Sequence, residues 1–164
     1  MRRTRFVTLC SLGLLFAGTT PVFASSLDFG WGPPVEVRSR SQTRYLVWPI
    51  QISNPGPGKL TPTLEIVAVT DTGKQYAAQQ AATVSVPVSA GQVVSMAALQ
   101  TAIFPSATRR AAVVFEQFDP HARVVHLYVG GLTQAALSRS SPYLHVTYVR
   151  SGSGWTWKGT SVLE

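Results

Sequence analysis

Hydrophobic and polar residues alternate with a period of two along several stretches of this 164-residue chain. The clearest case runs from Arg44 to Ser53, where every second residue is apolar: Leu46, Trp48, Ile50 and Ile52. Residues 63–70 alternate in the same way. Because side chains in a strand point to opposite faces of the sheet in turn, both stretches predict strands with one buried and one solvated face.

Shorter apolar stretches predict further strands, and turn-forming residues separate them. The predicted strands cover residues 35–40, 75–78, 84–88, 110–118, 123–129, 142–150 and 155–162. The segment 54–59 holds two prolines and two glycines, which forbid a strand ladder and predict a loop. Residues 71–74 predict a tight turn, and residues 119–122 predict a hairpin connection between the strands on either side.

One stretch has helical rather than strand periodicity. Met96, Leu99 and Ile103 are spaced by three and four residues within 95–104, and Pro105 follows them. This spacing predicts one short helix or turn that connects two strands. The whole pattern predicts an all-β fold of eight or nine short antiparallel strands with one short connecting helix. An immunoglobulin-like or fibronectin-like Greek-key β-sandwich is favoured over a closed barrel.

Four segments also carry a resemblance to a known class of proteins. They are Asn54-Pro55-Gly56 after an apolar strand and the stretches 69–74, 112–120 and 127–132. In these segments the chain resembles uncharacterised secreted bacterial proteins with an immunoglobulin-like β-sandwich. The resemblance covers most of residues 34–150. Because it consists of turns and core strands, it implies a fold and no functional site.

The first 24 residues have the pattern of an export signal. Arg2, Arg3 and Arg5 precede an apolar stretch over residues 6–17, and small residues flank Phe23 before Ser25. We therefore expect cleavage after Ala24, which leaves residues 25–164 as a single domain in the periplasm or outside the cell. The apolar stretch is too short for a permanent membrane span, so no stable span is expected after processing.

Other ways of processing this segment remain open. Cys10 could carry a lipid anchor, although Val7-Thr8-Leu9 places leucine where a lipoprotein signal needs a small residue. Arg2-Arg3 could indicate the twin-arginine route, although the surrounding residues match that pattern poorly. The segment could also be retained as an uncleaved anchor. General secretion followed by cleavage fits the residues best.

Charge and cysteine content narrow the function classes. The chain has 14 Lys and Arg against 7 Asp and Glu, and three of those arginines lie in the predicted leader. The remaining excess of about +4 is scattered along the chain, which argues against a nucleic-acid interface. Cys10 is the only cysteine and leaves with the leader. The rest of the chain therefore forms no disulfide and supports neither thiol catalysis nor cysteine-ligated zinc.

Few residues are suited to metal binding or catalysis. His121, His126 and His145 with Asp119 could be a metal site only if they converge, and they lack a His-x-His spacing. Ordinary surface histidines are therefore favoured, and no metal or other cofactor is expected. Glu65 and Glu116 could form a hydrolase pair if their strands were neighbours. Because the chain also lacks a Gly-x-Ser-x-Gly motif, a protein without catalytic activity is expected.

Aromatic residues and loops supply the contact candidates. Trp155 and Trp157 lie two residues apart on one predicted strand and could form a platform for sugar rings or for a partner's apolar side chains. Trp31, Tyr143 and Tyr148 could extend this platform. The alternative is that tryptophans fill the core, most strongly Trp48. Further contact candidates on the two loops are Pro57, Lys59, Pro120 and His121.

These observations favour an exported binding module without catalytic activity. Its partner would be an envelope or secreted protein, bound through an edge strand or through the end loops. The alternative is a carbohydrate-binding or cell-wall-glycan-binding domain that uses Trp155 and Trp157. A small hydrolase built on Glu65 and Glu116 is a weaker third hypothesis.

Overall fold

The computed structural model describes residues 7–8, 25–78, 100–134 and 143–163. In this part of the chain every strand pairing is antiparallel and no helix occurs. Nine strands have three or more residues: β3 (Asp28–Trp31), β4 (Val35–Arg38), β5 (Arg44–Ser53), β6 (Glu65–Thr70), β7 (Gln75–Ala77), β8 (Thr108–Glu116), β9 (Val124–Gly130), β11 (Tyr143–Ser151) and β12 (Gly154–Leu163). Three more have two residues: β1 (Val7–Thr8), β2 (Ser25–Ser26) and β10 (Thr133–Gln134).

The first sheet is built around β5. Strand β8 pairs with one edge of β5 along its whole length, from Tyr45↔Glu116 to Ser53↔Thr108. On the other edge, β4 pairs with the first half of β5 and β3 with the second half. The short β1 pairs with β3 and lies within the predicted leader. Outside that leader, β5 is therefore the central strand of the sheet, with β8 on one side and β3 and β4 on the other.

The second sheet has the order β12-β11-β9-β6-β7. Its longest pairing joins β11 to β12, with one irregularity between Thr147 and Tyr148. Opposite that point β12 has one extra residue, Lys158, because Tyr148 pairs with Trp157 and Thr147 with Gly159. Such an extra residue is a β-bulge, which bends the strand locally. A separate pair joins β2 to β10.

The two sheets share one hydrophobic core. On β5 the alternating apolar residues are at most 2% exposed, as the period-two pattern predicts: Leu46, Trp48, Ile50 and Ile52. The second sheet contributes inward residues of β6, β9 and β11 to the same cluster. Two side chains from different sheets meet at one acceptor, because Trp48 Nε1 and Tyr148 Oη both donate to the Gly32 carbonyl at 3.1 and 2.8 Å. The sheets are thus joined by polar as well as apolar contacts.

The outward face of β5 is less polar than the alternation predicts. Val47 is fully buried and forms a second apolar cluster with Ala112 and Val114 of β8. Val37 and Tyr45 pack against this cluster. The reason is cross-strand packing, since these neighbouring outward positions of β4, β5 and β8 carry apolar side chains that cover each other.

Several predicted elements are confirmed. The strand Arg44–Ser53 has the predicted bounds, and the turn at 71–74 joins β6 to β7. At this turn Gly73 has a φ of 79°, a conformation that favours glycine, and its N–H donates to the Thr70 carbonyl at 2.9 Å. The number of strands with at least three residues also matches the predicted eight or nine.

The predicted hairpin around residues 119–122 is wrong. Strand β8 pairs with β5 in the first sheet, whereas β9 lies between β6 and β11 in the second. The connection crosses from one sheet to the other because its apolar residues enter the core: Phe118 and Ala122 are at most 1% exposed. The Phe118 N–H also donates to the Arg44 carbonyl, which fixes the start of the crossing.

The described part of the predicted helix is not helical. Residues 100–104 are irregular, and Ile103 exchanges two backbone hydrogen bonds with Leu60 at 2.7 and 3.0 Å. Ile103 is buried by this bridge rather than by a helical face. The other residues of that prediction, Met96 and Leu99, and the predicted strand 84–88 lie outside the described residues. Strand β3 was not predicted.

No helix in the described part of the chain is long and apolar enough to cross a membrane.

Candidate functional site

Strand β12 forms one edge of the second sheet and is the most exposed apolar surface of the described chain. It pairs with β11 on one side, and no described strand pairs with its other side. Three of the large exposed hydrophobic residues lie on it: Trp157, Val162 and Leu163, which are 50%, 52% and 43% exposed. A ten-residue edge strand leaves a row of backbone donors and acceptors available to another chain.

The two tryptophans of β12 have different environments. Trp155 is 6% exposed and belongs to the core, where its ring meets Phe118 edge to face at 5.9 Å. Its Nε1 donates to Glu36 Oε1 at 3.1 Å, and the Arg150 guanidinium stacks over it at 4.7 Å. Trp157 is half exposed, and its Nε1 donates to Thr160 Oγ1 at 3.1 Å. Trp155 therefore fills the core rather than a surface platform, and Trp157 is the exposed ring of the two.

The wider aromatic platform does not form. Trp31 and Tyr148 are buried at 2% and 1% exposure, so neither can stack on a ligand at the surface. Burial also raises the pKa of the Tyr148 phenol well above its usual value. Tyr143 is half buried on the outer face of the second sheet and donates to Glu65 at 2.8 Å. One exposed indole remains of the proposed set.

The loop at 54–59 is held in place by Asn54, which is fully buried. The Asn54 side-chain amide donates to the carbonyls of Gly58 and Ile103 at 2.7 and 2.9 Å, and its oxygen accepts the Gly56 N–H at 3.0 Å. Pro57 and Lys59 are exposed, and Lys59 Nζ lies 5.4 Å from the ring centre of Phe104. Phe104 is 63% exposed, so Lys59 of this loop and Phe104 together present a small cationic and apolar surface.

The loop at 119–122 is organised by Asp119, which is 5% exposed. Its carboxylate accepts the His121 backbone N–H at 2.9 Å, Thr72 Oγ1 at 3.0 Å and Lys74 Nζ at 3.0 Å. These donors, led by the His121 N–H, lower the pKa of Asp119 to about 2. Pro120 and His121 are exposed at the tip of the turn.

The two loops lie at opposite ends of the molecule. Pro57 and Lys59 follow Ser53, whereas Pro120 and His121 follow Glu116. Because β5 and β8 are antiparallel, with Ser53 opposite Thr108, these two strand ends are at opposite ends of the first sheet. The six residues predicted as contacts therefore do not converge on one surface.

The carboxylates proposed for a hydrolase are also far apart in the fold. Glu65 pairs with Gly130 in the second sheet, and Glu116 pairs with Tyr45 in the first. They lie at opposite ends of the molecule, since Glu116 precedes the turn that leads into β9 and Gly130 ends that strand. The carboxylate pair of a glycosidase needs a separation of about 5–9.5 Å, so this arrangement does not provide one.

The structure brings two of the three histidines together on the outer face of the second sheet. His126 on β9 and His145 on β11 are diagonal neighbours, because Thr147 pairs with His126 and His145 with Tyr128. His126 Nδ1 lies 2.9 Å from His145 Nε2. Burial, and secondarily the nearby charge of His126, lowers the pKa of His145.

Three more side chains complete this histidine cluster. Thr147 Oγ1 lies 3.1 Å from His126 Nδ1 and 3.2 Å from His145 Nε2. Ser161 Oγ on β12 lies 3.1 Å from His145 Nδ1, and the Tyr128 ring is stacked on His145 at 4.7 Å with an angle of 6°. His121 is on the turn before β9 and takes no part. Among the described residues, no group of three or more His, Cys, Asp or Glu is placed to hold a metal ion.

The sequence offers His126 and His145 as metal ligands only if they converge and favours ordinary surface histidines, and it does not identify Thr147 and Ser161 as their neighbours. Two signals are present in the sequence, since His126 alternates with the apolar Val125 and Leu127, and His145 with Leu144 and Val146. They place both histidines on an outward face, but only the pairing register of β9 and β11 makes them neighbours.

Comparisons with protein-family models, with curated proteins and with solved structures found no match to this chain.

Proposed function

We propose that this chain is an exported protein-binding module without catalytic activity, and that a partner's extended segment binds along the free edge of β12. The proposed architecture is an immunoglobulin-like Greek-key sandwich made of residues 25–164. The leader, residues 1–24, is removed after Ala24, and the module acts in the periplasm or outside the cell.

The strand order supports the immunoglobulin-like arrangement. In that fold the second and fifth strands pair in one sheet, while the third pairs with the sixth in the other. Here β5 pairs with β8 in the first sheet, and β6 pairs with β9 in the second. The consecutive long strands β5 and β6 thus lie in different sheets, as the second and third strands of that fold do. Strand β11 then takes the place of the last strand, and β12 extends the sheet by one.

The observation that carries the functional proposal is the apolar edge of β12. An extended segment adds to a free edge through backbone hydrogen bonds, and side-chain contacts then provide specificity. The last part of β12, from Gly159 to Leu163, is free of bulges and presents Val162 and Leu163 to solvent. Lys158, at the bulge, is the only charged residue of β12.

The bulge limits where a partner strand can pair. A β-bulge interrupts the regular spacing of backbone donors and acceptors, and lysine on an edge is a common protection against unwanted pairing. A continuous added strand is therefore expected on the Gly159 side of Lys158. Trp157, on the other side, would contact the partner through its ring.

The proposal is tested by site-specific photo-crosslinking in intact cells. A photoreactive amino acid replaces Val162, and captured proteins are identified by mass spectrometry. The control position is Gln75, which is exposed on β7 at the opposite edge of the same sheet. We expect a defined envelope or secreted protein captured from position 162 and not from position 75.

A matched pair of substitutions tests the edge directly. Val162→Lys places a charge on β12, and Val35→Lys places one on β4 at a valine of similar exposure, 48% against 52%. We expect Val162→Lys to reduce partner capture at least tenfold and Val35→Lys to leave it unchanged. Equal capture in both variants would overturn the proposal.

The glycan alternative gives a different result. A cell-wall-binding protein would be retained by peptidoglycan, and Trp157→Ala would abolish that retention while Val162→Lys would not. Export is tested separately, since the N-terminus of protein from the extracytoplasmic fraction should begin at Ser25. A product that keeps residues 1–24 in the cytoplasm would contradict the export part of the proposal.

A further inference from the structure

The histidine cluster on the outer face of the second sheet brings two ring nitrogens and one hydroxyl oxygen within 3.2 Å of each other. We propose that His126 Nδ1, His145 Nε2 and Thr147 Oγ1 bind a late first-row divalent metal ion, with Cu²⁺ bound most tightly. Solvent supplies the remaining ligands. This inference does not rest on the proposed partner binding, because its three ligands lie on β9 and β11 rather than on β12.

The distances among the three ligand atoms carry the inference. They are 2.9 Å between the two nitrogens, and 3.1 and 3.2 Å from Thr147 Oγ1 to each nitrogen. Ligand atoms at about 2.0–2.1 Å from a metal lie about 2.9 Å apart at a right angle and about 3.3 Å apart at a tetrahedral angle. All three separations fall within that span. The ring centres of His126 and His145 are 5.1 Å apart, so the two nitrogens face each other nearly head-on, and both rings must turn toward a metal ion above the triangle.

The neighbouring side chains position the ligands in the way that metal sites require. A histidine that binds metal through one nitrogen usually donates the other ring N–H to a neighbouring group, which fixes its tautomer. When His145 donates Nδ1–H to Ser161 Oγ at 3.1 Å, its Nε2 carries a lone pair toward His126 and Thr147. The stacked ring of Tyr128 holds His145 in this orientation.

Metal binding leaves the number of protons on the two imidazole rings unchanged. Without metal, two neutral imidazoles 2.9 Å apart share one hydrogen bond, so one of the facing nitrogens carries a proton. If that nitrogen is His126 Nδ1, the proton moves to His126 Nε2 when the metal takes its place. Both rings stay neutral, and no proton needs to be released.

The ligand types select the metal class. Imidazole nitrogens suit Cu²⁺, Zn²⁺ and Ni²⁺, whereas Mg²⁺ and Ca²⁺ prefer oxygen ligands. For a site with two nitrogens and one hydroxyl oxygen, the general affinity order places Cu²⁺ above Ni²⁺ and Zn²⁺. Both histidines are half buried on an outward face, so an ion can reach them from solvent.

The test uses untagged protein, residues 25–164, titrated by calorimetry with CuCl₂, ZnCl₂ and MgCl₂ separately. We expect one Cu²⁺ per chain, weaker Zn²⁺ binding and no Mg²⁺ binding. His126→Gln and His145→Gln should each weaken Cu²⁺ binding at least tenfold. The matched control is His121→Gln, which removes an exposed histidine outside the cluster and should leave binding unchanged.

Two further variants and one spectroscopic measurement keep the test independent of folding defects. Thr147→Val preserves the shape of a β-branched side chain and should weaken Cu²⁺ binding with no loss of strand content. Ser161→Ala tests the positioning role, and a tenfold loss of affinity is expected because such neighbours contribute about 10–100-fold. Electron paramagnetic resonance of the Cu²⁺ complex should show two nitrogen ligands. Binding that is absent, or that is equal in the His126 and His121 variants, would overturn the proposal.

Discussion

At the residue scale, two glycines with the same backbone conformation have very different surroundings. Gly131 and Gly73 both have a φ of 79°. A side-chain carbon at Gly131 would fall on the carbonyl of Thr63, whereas none of the atoms near Gly73 lies within 4 Å of the same position. The two sites separate the cost of backbone strain from the cost of a steric clash.

This difference predicts unequal effects of alanine. Gly73→Ala should lower the free energy of unfolding by about 1 kcal/mol, because only the left-handed conformation is penalised. Gly131→Ala should lower it by about 3 kcal/mol or more, because the backbone of Thr63 must also move. Urea denaturation of both variants measures this difference. Equal effects would mean that the Gly131 turn can move away from Thr63 at little cost.

Asp119 predicts a second residue-level effect, on acid stability. Its pKa is lowered from 3.8 to about 2 in the folded protein, so the folded state binds this proton less readily than the unfolded state. The resulting stability is fully present above about pH 4 and is lost as the pH falls toward 2. Asp119→Asn should therefore lower the melting temperature at pH 7, and the difference from the unchanged protein should shrink between pH 4 and pH 2.

The measurement is a series of thermal unfolding curves from pH 7 to pH 2. Lys74→Met is the companion variant, because it removes one of the donors to Asp119 while it leaves the His121 and Thr72 contacts in place. Its pH dependence should lie between those of the other two proteins. A constant gap between Asp119→Asn and the unchanged protein at every pH would contradict the assignment.

At the element scale, Glu36 joins the two sheets. From β4 its carboxylate contacts Arg150 of β11 at 2.5 Å and accepts the Trp155 N–H of β12 at 3.1 Å. A third contact, with Arg44 of β5, is longer at 3.7 Å. Among the described residues no acceptor meets hydrogen-bond geometry for Arg150 Nη2, so the short contact is an ion pair. The side chains of Arg150 and Glu36 are mostly shielded from solvent, at 24% and 18% exposure.

Removal of this carboxylate should destabilise the contact between sheets. Glu36→Ala leaves the Arg150 charge and the Trp155 N–H without their partner, which should lower the unfolding free energy by about 2 kcal/mol. Glu65→Ala, which removes a single hydrogen bond from Tyr143 at an exposed site, should cost about 0.5 kcal/mol. Addition of Arg150→Met to Glu36→Ala should cost less than the sum of the two single changes.

Elements differ in how well the sequence predicted them, and the reason is physical. The strand Arg44–Ser53 was predicted with its bounds, because burial of one face imposes a period of two over ten residues. Strand β3 was missed because Asp28–Trp31 has four residues and a glycine, too few to show alternation. The false hairpin at 119–122 shows a different limit, since local pattern says that two strands exist but not which sheet each one joins.

The candidate sites follow the same rule. Burial of Trp155 depends on Glu36, Phe118 and Arg150, which come from distant parts of the chain. The pairing of His126 with His145 likewise depends on a register set by the whole of β9 and β11. Sequence reasoning proposed both sets of residues and could not decide their contacts, because each contact is made by strand pairing.

At the scale of the whole molecule, the fold is expected to be stable without a disulfide, because its core is large enough. Residues 25–164 contain no cysteine, and one core cluster joins residues of both sheets. We therefore expect this part of the chain to fold without the leader and to keep the same melting temperature with and without a reducing agent. Circular dichroism should show a β-rich spectrum in both conditions. A reductant-sensitive transition, or a largely helical spectrum, would contradict this expectation.

The unequal exposure of the tryptophans has a practical consequence for spectroscopy. Trp31, Trp48 and Trp155 are at most 6% exposed, while Trp157 is 50% exposed. A neutral quencher such as acrylamide should therefore extinguish the fluorescence of Trp157 and leave the other three rings almost unaffected. Occupancy of the surface beside this one indole can then be followed in solution by intrinsic emission, with no attached dye.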